Sequence, residues 1–202
     1  MPHPASYVTA TLLATLVLLG VYFGLQAAWS EVFVVVVALL LSVVPYALER
    51  HFAIRVNPLL KTGIAFFTAG TLILGGMFNF YNLFPWWDIF LHVLAGFGLA
   101  LLGYSLLFSL VRQQSLQAQP LFHTTFVFAG ACTVLLLWEV YEFAIDQLDW
   151  SSNLMQSSLF DTMIDLVVGL ASVTIVCIGG YLVLTHQKNA LAARLTPNDT
   201  VS

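Results

Sequence analysis

Six apolar stretches, each long enough to cross a lipid bilayer as a helix, leave this chain few options. They are readable at roughly 7–28, 32–48, 62–80, 88–111, 121–145 and 159–185. A hydrocarbon core about 30 Å thick needs about 20 residues at 1.5 Å rise per residue, which each stretch matches or approaches. Of the 202 residues, 60% are hydrophobic and only 8% are charged, far too few polar groups to clothe a soluble core. Lipid must therefore be the solvent for most of the chain. Unsatisfied backbone groups are costly there, so the expected fold is all-α: a polytopic membrane protein with about six transmembrane helices in one domain. Glu49-Arg50-His51 and Asn57-Pro58 are expected to break the second run from the third. Residues 186–202 read as a short cytoplasmic tail.

Charge sets the expected orientation. Arg50, Arg55 and Lys61 fall in the second loop, Arg112 in the fourth, and Lys188 and Arg194 in the tail, so all six cations lie on one side. By the positive-inside rule that side is cytoplasmic, as are both termini. The opposite loops carry Glu31, Asp146 and Asp149, and Trp29, Trp86, Trp87 and Trp150 mark an aromatic belt at the outer interface. Met1-Pro2-His3-Pro4 lacks the basic start and cleavage site of a secretory signal, so the first apolar run is expected to stay in the membrane.

Several function classes drop out. No basic cluster interleaves with aromatics, which leaves nucleic acid without an electrostatic footprint. Cys132 and Cys177 sit in apolar runs with no CxxC or Cys/His spacing, so they read as small buried residues. No Gly-x-Ser-x-Gly or His-Glu-x-x-His motif marks a standard hydrolase.

What chemistry there is lies in the second half. Asp88, His92 and Gly96 are spaced four apart, and Asp161, Asp165 and Gly169 repeat that spacing. Residues four apart share a helix face, so each helix presents two polar side chains and then a glycine that permits close approach. On the fifth helix Glu139, Glu142 and Asp146 form one stripe. Up-and-down topology brings these groups to a shared depth in the outer half of the bilayer, His92 and Asp165 about 6 Å below Asp88 and Asp161. Acids crowded in low dielectric require protons, water or a cation. Asp88, His92, Glu139, Glu142, Asp161 and Asp165 are accordingly the candidate ligands of one divalent metal ion, with oxygen-rich donors suited to Mg, Mn, Ca or Zn. His92, Glu139 and Glu142 are the candidate catalytic groups. Asp88 and Asp161 could equally cap their helices, and Asn79, Asn82 and Gln156 are available as neutral ligands.

Trp87-Asp88-Ile89-Phe90-Leu91-His92, Trp138-Glu139-Val140-Tyr141-Glu142 and Asp161-Thr162-Met163-Ile164-Asp165 with Gly169 make the sequence similar to the YjdF-like bacterial inner-membrane proteins. More distantly they resemble the VanZ-like proteins, from whose pattern Ile89, Glu142 and Asp165 depart. The resemblance implies a multi-pass location in the bacterial cytoplasmic membrane and brings no reaction with it. Three readings stay open: chemistry on a lipid-linked envelope substrate, a cation- or proton-coupled transporter completed by a homo-oligomer, and a structural role among membrane lipids.

Overall fold

The computed structural model describes residues 4–52, 56–114, 119–147, 156 and 158–195. Among these residues the protein is all-helical, and six helices are long and apolar enough to cross a membrane. They are α1 (Pro4–Leu25), α2 (Trp29–Phe52), α3 (Pro58–Thr68, continued as π-helix Ala69–Met77), α5 (Trp87–Gln114), α6 (Pro120–Gln147) and α7 (Leu159–Leu195). A single turn, α4 (Phe80–Leu83), separates α3 from α5. Expectations for residues 1–3, Arg55, Asp149, Trp150 and residues 196–202 lie outside the described residues.

Helix ends overrun the apolar stretches, because a helix does not stop where the hydrocarbon does. The expected loop residues Glu49, Arg50 and His51 are the last full turn of α2. The break reaches to Val56 and Asn57, and there Glu49 Oε1 accepts from Val56 N at 2.8 Å and Glu49 Oε2 pairs with Lys61 Nζ at 2.6 Å. Asn57 then caps α3, its side chain accepting from Leu59 N at 2.8 Å with Pro58 in the first turn, where a missing N–H costs nothing. At the other end of the chain, α7 continues through the expected tail as far as Leu195.

The helices pack as two triplets. α1, α2 and α3 pack on one another, as do α5, α6 and α7; among the described residues the triplets meet through α3 and α4 against α5. At that seam Trp87 is buried and donates its indole N–H to the Gly70 carbonyl at 3.3 Å. Trp87 is thus a helix-packing residue rather than a member of the interfacial belt, whereas Trp29 and Trp86 are exposed as a belt requires. The π-stretch makes the seam: i→i+5 bonding, closed by Phe78 N to Ile73 O at 2.9 Å, widens the helix and brings Gly70 under Leu91 and Trp87.

In the second triplet, α5 and α7 cross at Gly96 and Gly169. A Cβ at Gly96 would stand 2.5 Å from Gly169 O and 2.7 Å from Ser172 Cβ, so the two backbones are in direct contact. Below the crossing, Ala100, Leu107, Val127, Ala131, Leu135 and Val173 form a closed apolar core. Tyr104 spans it, its hydroxyl donating to Thr124 Oγ1 at 3.1 Å and approaching Cys177 O at 3.4 Å.

Candidate functional site

The site is built directly above that crossing. α5 and α7 both start at this end of the bundle and α6 finishes there, so Asp88 and Asp161 occupy first turns, His92 and Asp165 second turns, and Glu139 and Glu142 the last turns of α6. With Gly96 seated on Gly169, the residues one turn earlier, His92 and Asp165, are forced together. His92 Nδ1 lies 3.3 Å from Asp165 Oδ1 and 3.3 Å from Asp88 Oδ1, and Nε2 lies 3.1 Å from Glu139 Oε1. One imidazole thereby touches acids from all three helices.

His92, Glu139, Glu142 and Asp165 are all buried, with residue exposures between 3% and 7%. His92 Nδ1 is also 3.2 Å from the Asp88 carbonyl oxygen, which can only accept, so Nδ1 carries a proton when that bond is made. His92 Nε2, Glu139 Oε1 and Asp165 Oδ1 have no aligned hydrogen bond despite their proximity. Buried polar atoms left without an aligned hydrogen bond are costly, and here they gather on both edges of one imidazole. Asp88, His92 and Asp165 each offer one donor atom, all within 4.8 Å of one another, a spacing an ion can draw together. The donors are one nitrogen and otherwise oxygens, which suits a hard or borderline divalent ion.

Glu142, one turn beyond Glu139, acts electrostatically on Glu139, Asp88 and His92 and completes the wall contributed by α6. Asp161 is half-buried one turn before Asp165; its backbone N–H donates to Ser158 Oγ at 3.2 Å and its charge reaches Asp165. Asp161 is therefore a helix-start residue at the mouth of the cluster. Asp146 turns away to a local task, its Oδ2 accepting from Gln156 N at 2.9 Å.

Two further residues join the site: Gln156, which the sequence offers only as one of three available neutral groups, and Tyr81, which sequence reasoning does not place there. Gln156 donates its amide to Glu139 O at 3.0 Å and to Glu139 Oε2 at 3.2 Å, which occupies one carboxylate oxygen and leaves Oε1 for His92. Tyr81 of α4 packs its ring onto Gly75, where any Cβ would overlap it. Burial, and after it the charges of Asp88, Glu142 and Asp165, push its phenol above the usual range, so it keeps its proton beside the acids. Neither could be found from helical spacing: Tyr81 lies before α5 begins, and Gln156 lies in the connection to α7.

The chain belongs to the family described as "Predicted membrane protein (DUF2238)", whose model matches residues 6–186 and so covers all six crossing helices and every residue of the cluster. This is the family that the YjdF-like resemblance denotes; the match gives no support to the more distant VanZ-like link. No curated protein and no solved structure matches the chain.

Proposed function

We propose that the cluster is a divalent-cation site opening only to the outer face of a bacterial cytoplasmic membrane, where it serves metal-dependent acid–base chemistry on a lipid-linked envelope substrate. The observation that carries this reading is the convergence of Asp88, His92, Glu139, Glu142 and Asp165 from three helices with His92 Nε2, Glu139 Oε1 and Asp165 Oδ1 unsatisfied. One imidazole serves acids from three helices, so a purely structural role would leave most of the buried negative charge uncompensated, which lowers stability. Asp88, His92 and Asp165 would hold such an ion, which would supply Lewis acidity. Glu139, held by Gln156, stands against the imidazole as proton acceptor, and Glu142 lies beside it.

The apolar core beneath the crossing favours this one-sided reading over transport. From His92 to Ala100 is about 12 Å along α5, and beyond it the facing residues of α5, α6 and α7 are nearly all apolar. A cation leaving the cluster inward would meet, among the described buried side chains of the crossing, only the Ser172 hydroxyl, which is engaged by the Val168 carbonyl at 2.8 Å, whereas a transport pathway lines its route with donors.

Cation binding predicts stabilisation by mass action. In chelator-stripped protein, Mn²⁺ or Zn²⁺ at about 100 times its Kd is expected to stabilise the fold by about 2.7 kcal/mol and raise Tm by several degrees, while K⁺ leaves it unchanged. A Tm insensitive to every divalent ion would sink the metal reading. The orientation has its own check in a background lacking Cys132 and Cys177. An impermeant maleimide applied to intact cells should label Ser158→Cys, and should label Lys188→Cys only after permeabilisation. The reverse pattern would put the cluster on the cytoplasmic side.

A further inference from the structure

The two edges of the His92 ring meet different surroundings. Nδ1 lies 3.3 Å from Asp88 Oδ1 on α5 and 3.3 Å from Asp165 Oδ1 on α7, whereas Nε2 lies 3.1 Å from Glu139 Oε1 on α6. We propose that Glu139 and Gln156 are positioning residues of the cation site: Gln156 holds the Glu139 carboxylate against His92 Nε2, and the imidazole thereby turns Nδ1 to an ion shared with Asp88 and Asp165. The assignment rests on the cation reading above and adds to it the nitrogen that binds and the groups that aim it.

Spacing distinguishes the two edges. Two donors on one ion with bonds of about 2.1 Å stand about 3.0–3.4 Å apart, and both carboxylate oxygens beside Nδ1 are at that distance from it. Asp88, His92 and Asp165 are also the residues whose donor atoms close a three-membered group, and Glu139 is not part of it. The Nε2 edge is built differently, because the carboxylate there is already engaged. Gln156 Nε2 donates to Glu139 Oε2 at 3.2 Å and to the Glu139 carbonyl at 3.0 Å, while the Gln156 backbone N–H donates to Asp146 Oδ2 at 2.9 Å. Asp146, Gln156, Glu139 and His92 thus form one chain of contacts from the end of α6, through the connection to α7, to the imidazole.

The same arrangement accounts for the atoms left without aligned hydrogen bonds. When Nδ1 donates to the Asp88 carbonyl, Nε2 and Glu139 Oε1 oppose lone pair to lone pair, and neither is satisfied. With Nδ1 turned to an ion, the ring proton sits on Nε2, Glu139 Oε1 accepts it, and Asp165 Oδ1 becomes a ligand. A metal-bound imidazole characteristically donates its other ring N–H to a carboxylate, which fixes the ring and raises its basicity.

Nitrogen NMR of the full-length, histidine-labelled protein in detergent decides which nitrogen binds. Chelator-stripped protein is loaded with Zn²⁺, and the His92 signals are identified by their loss in His92→Ala. Coordination at Nδ1 with a proton retained on Nε2 is expected. In competition with a chelator, Gln156→Ala should weaken Zn²⁺ binding by about 10-fold and Glu139→Leu by about 100-fold, the range for groups that orient metal ligands, with circular dichroism unchanged. Zinc on Nε2, or undiminished affinity in Gln156→Ala, would overturn the positioning role and leave the cation site standing. A wild type that takes up neither Zn²⁺ nor Mn²⁺ would instead overturn the cation reading itself. The wild-type spectrum separates Nδ1 from Nε2 coordination even if a variant fails to fold.

Discussion

Gly96→Ala is expected to be among the most damaging single-methyl additions in this protein, costing more than about 3 kcal/mol and sharply reducing the folded yield. Ordinary overpacking costs about 1–3 kcal/mol because flexible side chains can give way. Here the obstructing atom is the Gly169 carbonyl oxygen, 2.5 Å from the added Cβ, with Ser172 Cβ at 2.7 Å. Backbone cannot step aside without separating α5 from α7, and one turn above the crossing those helices hold His92 against Asp165. Partial folding would therefore still spoil the site. Gly98, two residues on, has nothing within 4 Å of its would-be Cβ, so Gly98→Ala should be neutral or slightly stabilising. Thermal or denaturant unfolding in detergent measures both; equal tolerance of the two substitutions would refute the close crossing.

His92→Ala should weaken divalent-cation binding by about 100-fold or more, since even second-shell partners of metal ligands are worth about 10- to 100-fold. The imidazole contacts acids from all three helices, so its removal also leaves Asp88, Asp165 and Glu139 facing one another without a spacer. A lower Tm for the cation-free variant is expected on that ground alone. The informative quantity is the rise in Tm on adding Mn²⁺ or Zn²⁺, which should vanish. If His92 only tied helices together, the variant would be less stable yet keep the same cation-dependent rise.

The crossing helices and most of the cluster were legible in the sequence because both depend on local spacing. Apolar runs of bilayer length announce helices whatever their neighbours, and the Asp88-His92-Gly96 and Asp161-Asp165-Gly169 repeats specify which faces meet. The division into two triplets was not legible. Lipid-facing and helix-facing surfaces are both apolar, so periodicity carries little of the signal it gives in soluble bundles. Trp87 was misread for a related reason: an indole at a helix start looks like an interfacial anchor until a π-helical stretch presents the Gly70 carbonyl to it. Gln156 and Tyr81 reach the site from connections outside the long helices, where no period links them to Glu139 or Asp88.

Elemental analysis of detergent-purified protein, wild type beside an Asp88→Asn/His92→Ala/Asp165→Asn variant with matched circular dichroism, tests the cation site most directly. Stoichiometric divalent metal in the wild type, lost from a variant that remains helical, is the predicted result. Metal retained in that variant, or none in a wild type that also fails to take up added Mn²⁺ or Zn²⁺, would contradict it.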